Sequence, residues 1–294
     1  MATNSFEWKI LDFFDQFKCD FLNRFFQYVS EIFGIVSIIL VLMLIYWCFS
    51  KEKGKMIAYN AFTVMCLNGV LKGFINRKRP FEIEGKEYLR KLTLAEDGAS
   101  GSSFPSGHTM NSAGVYTGVV YFYHERKHLI LDIVLIFITF LVGISRMYLG
   151  VHFFTDVFFG FLYAVILVIV LSRLQSLFKN RRILLYLITL LIFLPFCFFK
   201  TFGRTYMKCY GMLFGFVLSV ILEEKYVNFE TNTTRKNKII RVLIGALVVG
   251  ATYLIYVIAP EVIHNNFIFT LIMHSLVVFN GFFIAPLIFK KIEK

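Results

Sequence analysis

The sequence predicts an all-α, polytopic transmembrane bundle, and three observations carry that prediction. Of 294 residues, 57% are hydrophobic and 36 are Phe, more than a water-facing surface ordinarily carries. Long apolar runs recur along the chain, and runs of about 18 or more residues with few charges read as membrane-crossing helices. Lys and Arg gather in the short connections between those runs. A helix satisfies its own backbone hydrogen bonds in hydrocarbon, so a bundle of helices is the structure such a pattern specifies.

The elements follow in order. Residues 6–28 mix Phe, Leu and Ile with Lys, Asp and Arg, which suits an amphipathic helix lying in the membrane interface. Nine candidate spans come next, near 31–50, 56–75, 108–123, 129–147, 152–172, 183–199, 205–222, 239–258 and 266–288. The third is short and is expected to begin inside a protein-lined cavity. The connection at 76–107 is long and polar, ending in the Gly/Ser-rich stretch GASGSSFPSG. Connections of that length are usually functional or disordered.

The formal charge is +12. No basic domain stands apart from the spans, so the charge reads as an orientation signal and as contact with anionic headgroups, with no nucleic acid as partner. Basic residues crowd one side of the expected topology: Lys51, Lys53, Lys55, Arg126, Lys127, Arg173, Lys179, Arg181, Arg182 and Lys225, then the 235–241 cluster and Lys290, Lys291 and Lys294. Positive-inside places that side in the cytoplasm. Five cysteines (Cys19, Cys48, Cys66, Cys197, Cys209) show neither close pairing nor metal spacing. The first apolar run follows some thirty mixed residues, so no cleavable signal peptide is expected.

Three motifs stand out: Lys72-x6-Arg79-Pro80, Pro105-Ser106-Gly107-His108 and Ser145-Arg146-x5-His152-x3-Asp156. The span map brings all of them to the side opposite the basic loops. Ionisable residues at the edge of a membrane bundle are costly and point to function. Lys72, Arg79 and Arg146 supply fixed positive charge, and the two guanidinium forks suit a phosphoryl group. Ser106, Gly107 and His108 open a helix, whose first N–H groups and dipole attract an anion. His152 and Asp156 are four apart at a helix start and share a face. A carboxylate on one ring nitrogen leaves the other as a nucleophile, and His108 remains to protonate a leaving oxygen. Arg77 and Lys78 add charge beside Arg79, either for a diphosphate or for headgroups. His124, His128, His264 and His274 lack comparable company and read as structural or solvated.

These motifs resemble the signature of the type 2 phosphatidic acid phosphatase (PAP2) superfamily, KxxxxxxRP, PSGH and SRxxxxxHxxxD, each specified position of which is matched. The resemblance covers roughly 31–175. It implies a catalytic core of about five to six spans over 31–175, behind an interfacial helix at 1–30, with further spans of unknown role over 176–294. It implies a lipid phosphatase: His152 attacks phosphorus and forms a phosphohistidine, Asp156 orients it, and His108 is the general acid. Lys72, Arg79, Ser106, Gly107 and Arg146 hold the phosphoryl oxygens. No cofactor and no metal is implied, and no carboxylate cluster of metal-binding kind lies near the motifs. The expected substrate is a lipid phosphate or pyrophosphate: undecaprenyl pyrophosphate, phosphatidic acid, phosphatidylglycerol phosphate or a sphingoid phosphate. The expected location is a bacterial plasma membrane with the site facing outward. Rival readings are a lipid phosphotransferase, which passes the phosphoryl group to another acceptor, and a lipid transporter on the same core. The soluble haloperoxidases of the superfamily, which bind vanadate in this pocket, do not fit a membrane-bound chain.

Overall fold

A computed structural model describes residues 5–85 and 101–293, so the middle of the 76–107 connection, 86–100, lies outside the described residues. Every regular element among them is helical: α1 (Ser5–Asp15), α2 (Asp20–Ile32), α3 (Ile35–Leu44), α4 (Lys51–Ile75), α5 (Gly107–Tyr123), α6 (Leu129–Tyr148), α7 (Phe154–Leu177), α8 (Arg182–Phe193), α9 (Gly203–Leu222), α10 (Arg235–Val257), α11 (Glu261–His264), α12 (Phe267–Phe279) and α13 (Ala285–Ile292). Caps set some of the boundaries. Thr234 accepts from the Asn237 N–H at 3.2 Å to open α10, and Asn266 accepts from Ile268 and Phe269 at 2.8 and 3.1 Å to open α12.

Among the described residues six segments are long and apolar enough to cross a membrane: Arg126–Tyr148, Phe154–Leu177, Lys179–Phe198, Lys200–Val227, Arg235–Val257 and Phe267–Ile292. A bent pair, Asp20–Ile32 with Ser37–Phe49, adds one more if it counts as a single span. The nine expected from apolar runs included α4 and α5, which fall short for a physical reason. Every residue from Ile57 to Cys66 of α4 is buried, and so is every residue from Thr109 to Tyr116 of α5. A helix surrounded by protein need not be apolar, so α4 carries buried Asn60, Thr63 and Asn68, and α5 runs only 17 residues. The helices that do qualify expose apolar side chains: Ile130, Phe137 and Phe140 on α6, and Phe158, Ile166 and Ile169 on α7.

The chain divides into two compact units, interleaved in sequence. Met1–Ile38 joins Leu67–Ile169, and Ile39–Cys66 joins Val170–Lys294. In the first unit the single N-terminal helix expected from the sequence is two, α1 and α2, interrupted at 16–19. Both lie against α6. Trp8 meets Phe153 edge-on at 5.3 Å, and Phe26 stacks near Tyr148 at 4.4 Å. Phe6, Phe13, Phe17 and Phe21 remain exposed.

In the second unit α9 packs along α12. A Cβ added at Gly215 would lie 2.2 Å from the Ser275 carbonyl oxygen, so only glycine permits the approach. A buried polar chain ties Asn60 to Ser172 (2.8 Å) and Gln175 (2.9 Å), and Gln175 to Tyr186 (2.9 Å). Arg241, also buried, binds Glu293 and the Trp47 carbonyl. Gly215→Val is expected to destabilise this unit by about 1–3 kcal/mol or more, because backbone must move to admit the side chain. Gly250→Ala in α10, where the added Cβ faces open space, is expected to leave stability unchanged or raise it by up to about 1 kcal/mol. Thermal unfolding of both variants in one detergent checks the contrast.

Candidate active site

All the motif residues fall in the first unit. The turn between α6 and α7 sets the centre. Leu149 and Gly150 donate back to the carbonyls of Ser145 and Met147 at 3.0 and 2.9 Å, and Gly150 takes φ +70°, where a side chain would be strained. Val151 then donates to the Arg146 carbonyl at 3.2 Å. His152 therefore lies in this turn, ahead of α7, and not on a shared helical face with Asp156 as the four-residue spacing suggests. Asp156 sits in the first turn of α7. The pair still meets: His152 Nδ1 is 3.5 Å from Asp156 Oδ2, and both residues are buried.

Arg79 places its Nη1 3.1 Å from the Val151 carbonyl and 3.3 Å from His152 Nε2. A guanidinium only donates, so Nε2 accepts and the ring proton belongs on Nδ1, toward Asp156. Burial pushes the imidazole pKa well below 6.5, and the positive charges of Arg79, Lys72 and Arg146 push it further down. Nε2 thus carries a lone pair at neutral pH and points at a cation. Burial lowers the Arg79 guanidinium to about 10 against the opposing pull of Glu82 and Asp156, so it stays charged.

The remaining cations close around this point. Lys72 donates to the Ser102 carbonyl, and its Cε lies 3.8 Å from where a Gly107 Cβ would stand. Arg146 donates from Nη1 to the Ser30 hydroxyl of α2, while its buried Nε has no partner. His108, half-buried in the first turn of α5, feels the charges of Arg146, His152, Arg79 and Lys72. Ser106 precedes α5 as its N-cap. Its N–H is not available to an anion as expected, because it donates to the Asp156 carbonyl at 2.9 Å. Gly107 and His108 keep the first-turn N–H groups that have no intrahelical acceptor. Among the described residues no group of three or more His, Cys, Asp or Glu side chains has metal-binding geometry.

Several participants escape sequence reasoning. The Ser103 hydroxyl donates to Asp156 Oδ2 and lies 3.5 Å from His152 Nδ1. The Phe153 N–H donates to the same oxygen at 2.8 Å. Arg77 pairs with Asp156 Oδ1 at 2.7 Å and Glu7 at 2.6 Å, whereas Lys78 is exposed. The only signal for Ser103 is its place in a Gly/Ser-rich run beside PSGH, and nothing in the spacing points to Glu7. The histidines read as structural include His124, which bonds Asp132, and His128, whose Nδ1 lies 2.8 Å from the Tyr123 carbonyl.

Comparison with known proteins adds an independent finding. The PAP2 superfamily model matches residues 54–180, and a model described as PAP2 superfamily phosphatase, transmembrane extension, matches 207–294. Phosphatidylglycerophosphatase B of Bacillus subtilis (strain 168) is 40% identical over 122 residues, which cover 40% of this chain and 55% of that protein. The match thus spans about half the length of that curated relative. Two solved structures are similar. One is a transmembrane PAP2 type phosphatidylglycerolphosphate phosphatase from Bacillus subtilis, with 29% identity, a TM-score of 0.49, and coverage of 60% of this chain and 88% of that one. The other is Aquifex aeolicus LpxE, with 25% identity, a TM-score of 0.48, and coverage of 59% and 98%.

A buried guanidinium with an unpartnered Nε, beside two more cations, is built for an oxyanion. Orthovanadate is expected to bind the detergent-solubilised protein, and Arg146→Gln to weaken it about tenfold or more, the worth of one charge-assisted contact. Lys78→Gln, exposed and outside the cluster, should bind as the parent does. Titration calorimetry of the three proteins checks this.

Proposed function

The chain belongs to the PAP2 superfamily, and on that premise we propose that it hydrolyses a lipid phosphate or lipid pyrophosphate through a phosphohistidine on His152. The observation that carries the reading is the 3.3 Å approach of Arg79 to His152 Nε2, beside the unpartnered Nε of Arg146. A phosphoryl group held by Arg79, Arg146 and Lys72 has its phosphorus within reach of that lone pair. Ser106, at the head of α5, and the Gly107 N–H complete the cradle.

In this mechanism Nε2 attacks phosphorus as the bond to the leaving oxygen breaks. His108 gives that oxygen a proton. The imidazole becomes positive as the phosphohistidine forms, and Asp156 stabilises it across Nδ1. Water then attacks the phosphohistidine, His108 takes its proton, and inorganic phosphate leaves with His152 restored. Three cations offset the charge that Mg²⁺ offsets in other phosphoryl transfers, so no metal or cofactor enters the reading.

For substrate, we place phosphatidylglycerol phosphate first among the candidates, because the B. subtilis relative is a phosphatidylglycerophosphatase. Residues 31–175 form the catalytic core in this proposal, and 176–294 supply additional membrane helices. The exposed Phe residues of α1 and α2 rest in the interface, which suits a substrate whose tails stay in lipid. The protein sits in a bacterial plasma membrane with the site on the outer face, opposite the basic loops.

His152→Ala is expected to abolish phosphate release from phosphatidylglycerol phosphate while the protein still unfolds at the parent temperature. Asp156→Asn should lower kcat at least a hundredfold with KM little changed, since the cradle is intact. Phosphate release that survives in His152→Ala overturns the mechanism. EDTA should leave the rate untouched, and a loss that Mg²⁺ restores overturns the metal-free reading.

Sidedness is checked separately. In a background without native cysteines, Glu84→Cys should react with a membrane-impermeant thiol reagent on intact cells, and Lys179→Cys only after lysis. The reverse pattern places the site in the cytoplasm.

A further inference from the structure

The first unit contains a charge chain that the phosphohistidine mechanism does not call for. Asp156 Oδ2 faces His152 and receives the Ser103 hydroxyl and the Phe153 N–H. Its other oxygen, Oδ1, receives Arg77 Nη1 at 2.7 Å. The second arm of that guanidinium, Nη2, donates to Glu7 Oε2 at 2.6 Å, and Glu7 belongs to α1. Thr155 closes the group, accepting from Arg77 Nη1 at 2.7 Å and donating to Glu7 Oε1. The guanidinium lies over the Phe153 ring at 4.3 Å, and Trp8 of α1 packs on the other edge of that ring. Side chains of Glu7, Arg77 and Asp156 are 5%, 13% and 0% exposed, so water screens none of these pairs well.

From this geometry we propose that Glu7 and Arg77 are positioning residues for the reaction, holding the Asp156 carboxylate toward His152 and setting how much negative charge it presents there. The proposal rests on the mechanism above, in which Asp156 supports a developing positive charge on His152. The electrostatic argument is simple. Arg77 alone would cancel Asp156 and weaken that support. Glu7 cancels Arg77, so the three groups together keep one net negative charge beside His152. Arg77 meanwhile fixes the carboxylate rotamer by occupying Oδ1, which leaves Oδ2 for the imidazole side. A helix that precedes the catalytic motifs by some sixty residues thereby becomes part of the site, through one carboxylate.

Opposite changes in charge give the test its sign. His152 must be neutral to attack, so its titration sets the acid limb of kcat/KM. Among the described residues the other charged or titratable groups facing it are Arg79, Lys72, Arg146 and His108, and these stay constant across the series. Glu7→Gln leaves Arg77 uncancelled, which disfavours imidazolium and should move the acid limb to lower pH. Arg77→Gln leaves Glu7 and Asp156 uncancelled, which favours imidazolium and should move it to higher pH. Shifts of about half a pH unit or more are expected, in opposite directions, with kcat down about tenfold in each and KM within twofold. The double variant Glu7→Gln with Arg77→Gln keeps the parent's one net negative charge, now on Asp156 alone. It should return the limb to within about 0.2 unit of the parent while kcat remains low, because the rotamer lock is gone.

The assay is phosphate release from dioctanoyl phosphatidic acid in detergent micelles, with thermal unfolding of each variant beside it. A purely structural role for the chain would lower the unfolding temperature without moving the limb in opposite directions, and that result overturns the proposal. So does parental kcat in the double variant, which remains measurable if a single variant fails to fold. His152→Ala in the same assay separates the two readings. An inactive His152→Ala beside fully active Glu7 and Arg77 variants removes this proposal and leaves the mechanism standing. An active His152→Ala removes the mechanism itself.

Discussion

A fully buried carboxylate, Asp156, is the constraint around which the first unit is arranged. An ionised carboxylate out of water is tolerated only when its oxygens are bonded. Here Ser103, the Phe153 N–H and Arg77 supply those bonds, and each comes from a different part of the chain. The polar connection after α4 must fold inward to deliver Ser103 and Arg77. The Ser103 N–H binds the Arg77 carbonyl at 2.8 Å, which fixes the two strands of that connection against each other. Asp156 also holds the head of α5 through its backbone, since its carbonyl receives the Ser106 N–H. One aspartate thus joins three motif-bearing segments.

Charge balance explains the rest of the neighbourhood. Lys72, Arg79 and Arg146 approach a single imidazole, an arrangement that repels itself unless an anion enters or buried donors find other acceptors. Arg79 relies on the carbonyls of Val151 and Gly101, and Lys72 on that of Ser102. Arg146 has the Ser30 hydroxyl and an unpartnered Nε. The Ser30 hydroxyl is a neutral acceptor, weaker than a carboxylate, so an oxyanion is the stronger partner for Arg146. Arg77 instead pairs through Nη1 and Nη2 with two carboxylates, whereas Arg79 donates to carbonyls and faces His152, so two arginines only two residues apart do different work.

Membrane helices that carry the site differ in kind from those that face lipid. Hydropathy finds α6 and α7 because their outer faces must be apolar. The apolar runs include α4 and α5 as well, but a length-and-composition criterion leaves them out, because protein surrounds them and lets Asn68, Thr109 and Asn111 sit where hydrocarbon would reject them. Counting apolar runs therefore gives the architecture but misjudges how the helices nearest the chemistry satisfy a length-and-composition criterion. The same logic governs the division into units. Residues 39–66 pack with the C-terminal helices through the pairs Trp47–Arg241 and Asn60–Ser172, 194 and 112 residues apart, which no local pattern connects.

What the sequence determined by itself was the helical membrane class, the three motifs and their meeting at one end of the bundle. Those features are local or periodic: apolar run length, charge placement and the alternation of spans each follow from neighbouring residues. Tertiary structure decided the details that depend on partners distant in the chain. It placed His152 in a turn made possible by Gly150 and not on a helical face. It gave the Ser106 N–H to a carbonyl, and it made Arg77, which the sequence left between a diphosphate and headgroups, a bridge between Glu7 and Asp156. Nothing in the residues around Glu7 announces a role, because a carboxylate on a mixed helix is indistinguishable from a solvated one until the fold buries it. Burial raises the worth of each charge pair by lowering the local dielectric, and burial is a property of the packed chain alone.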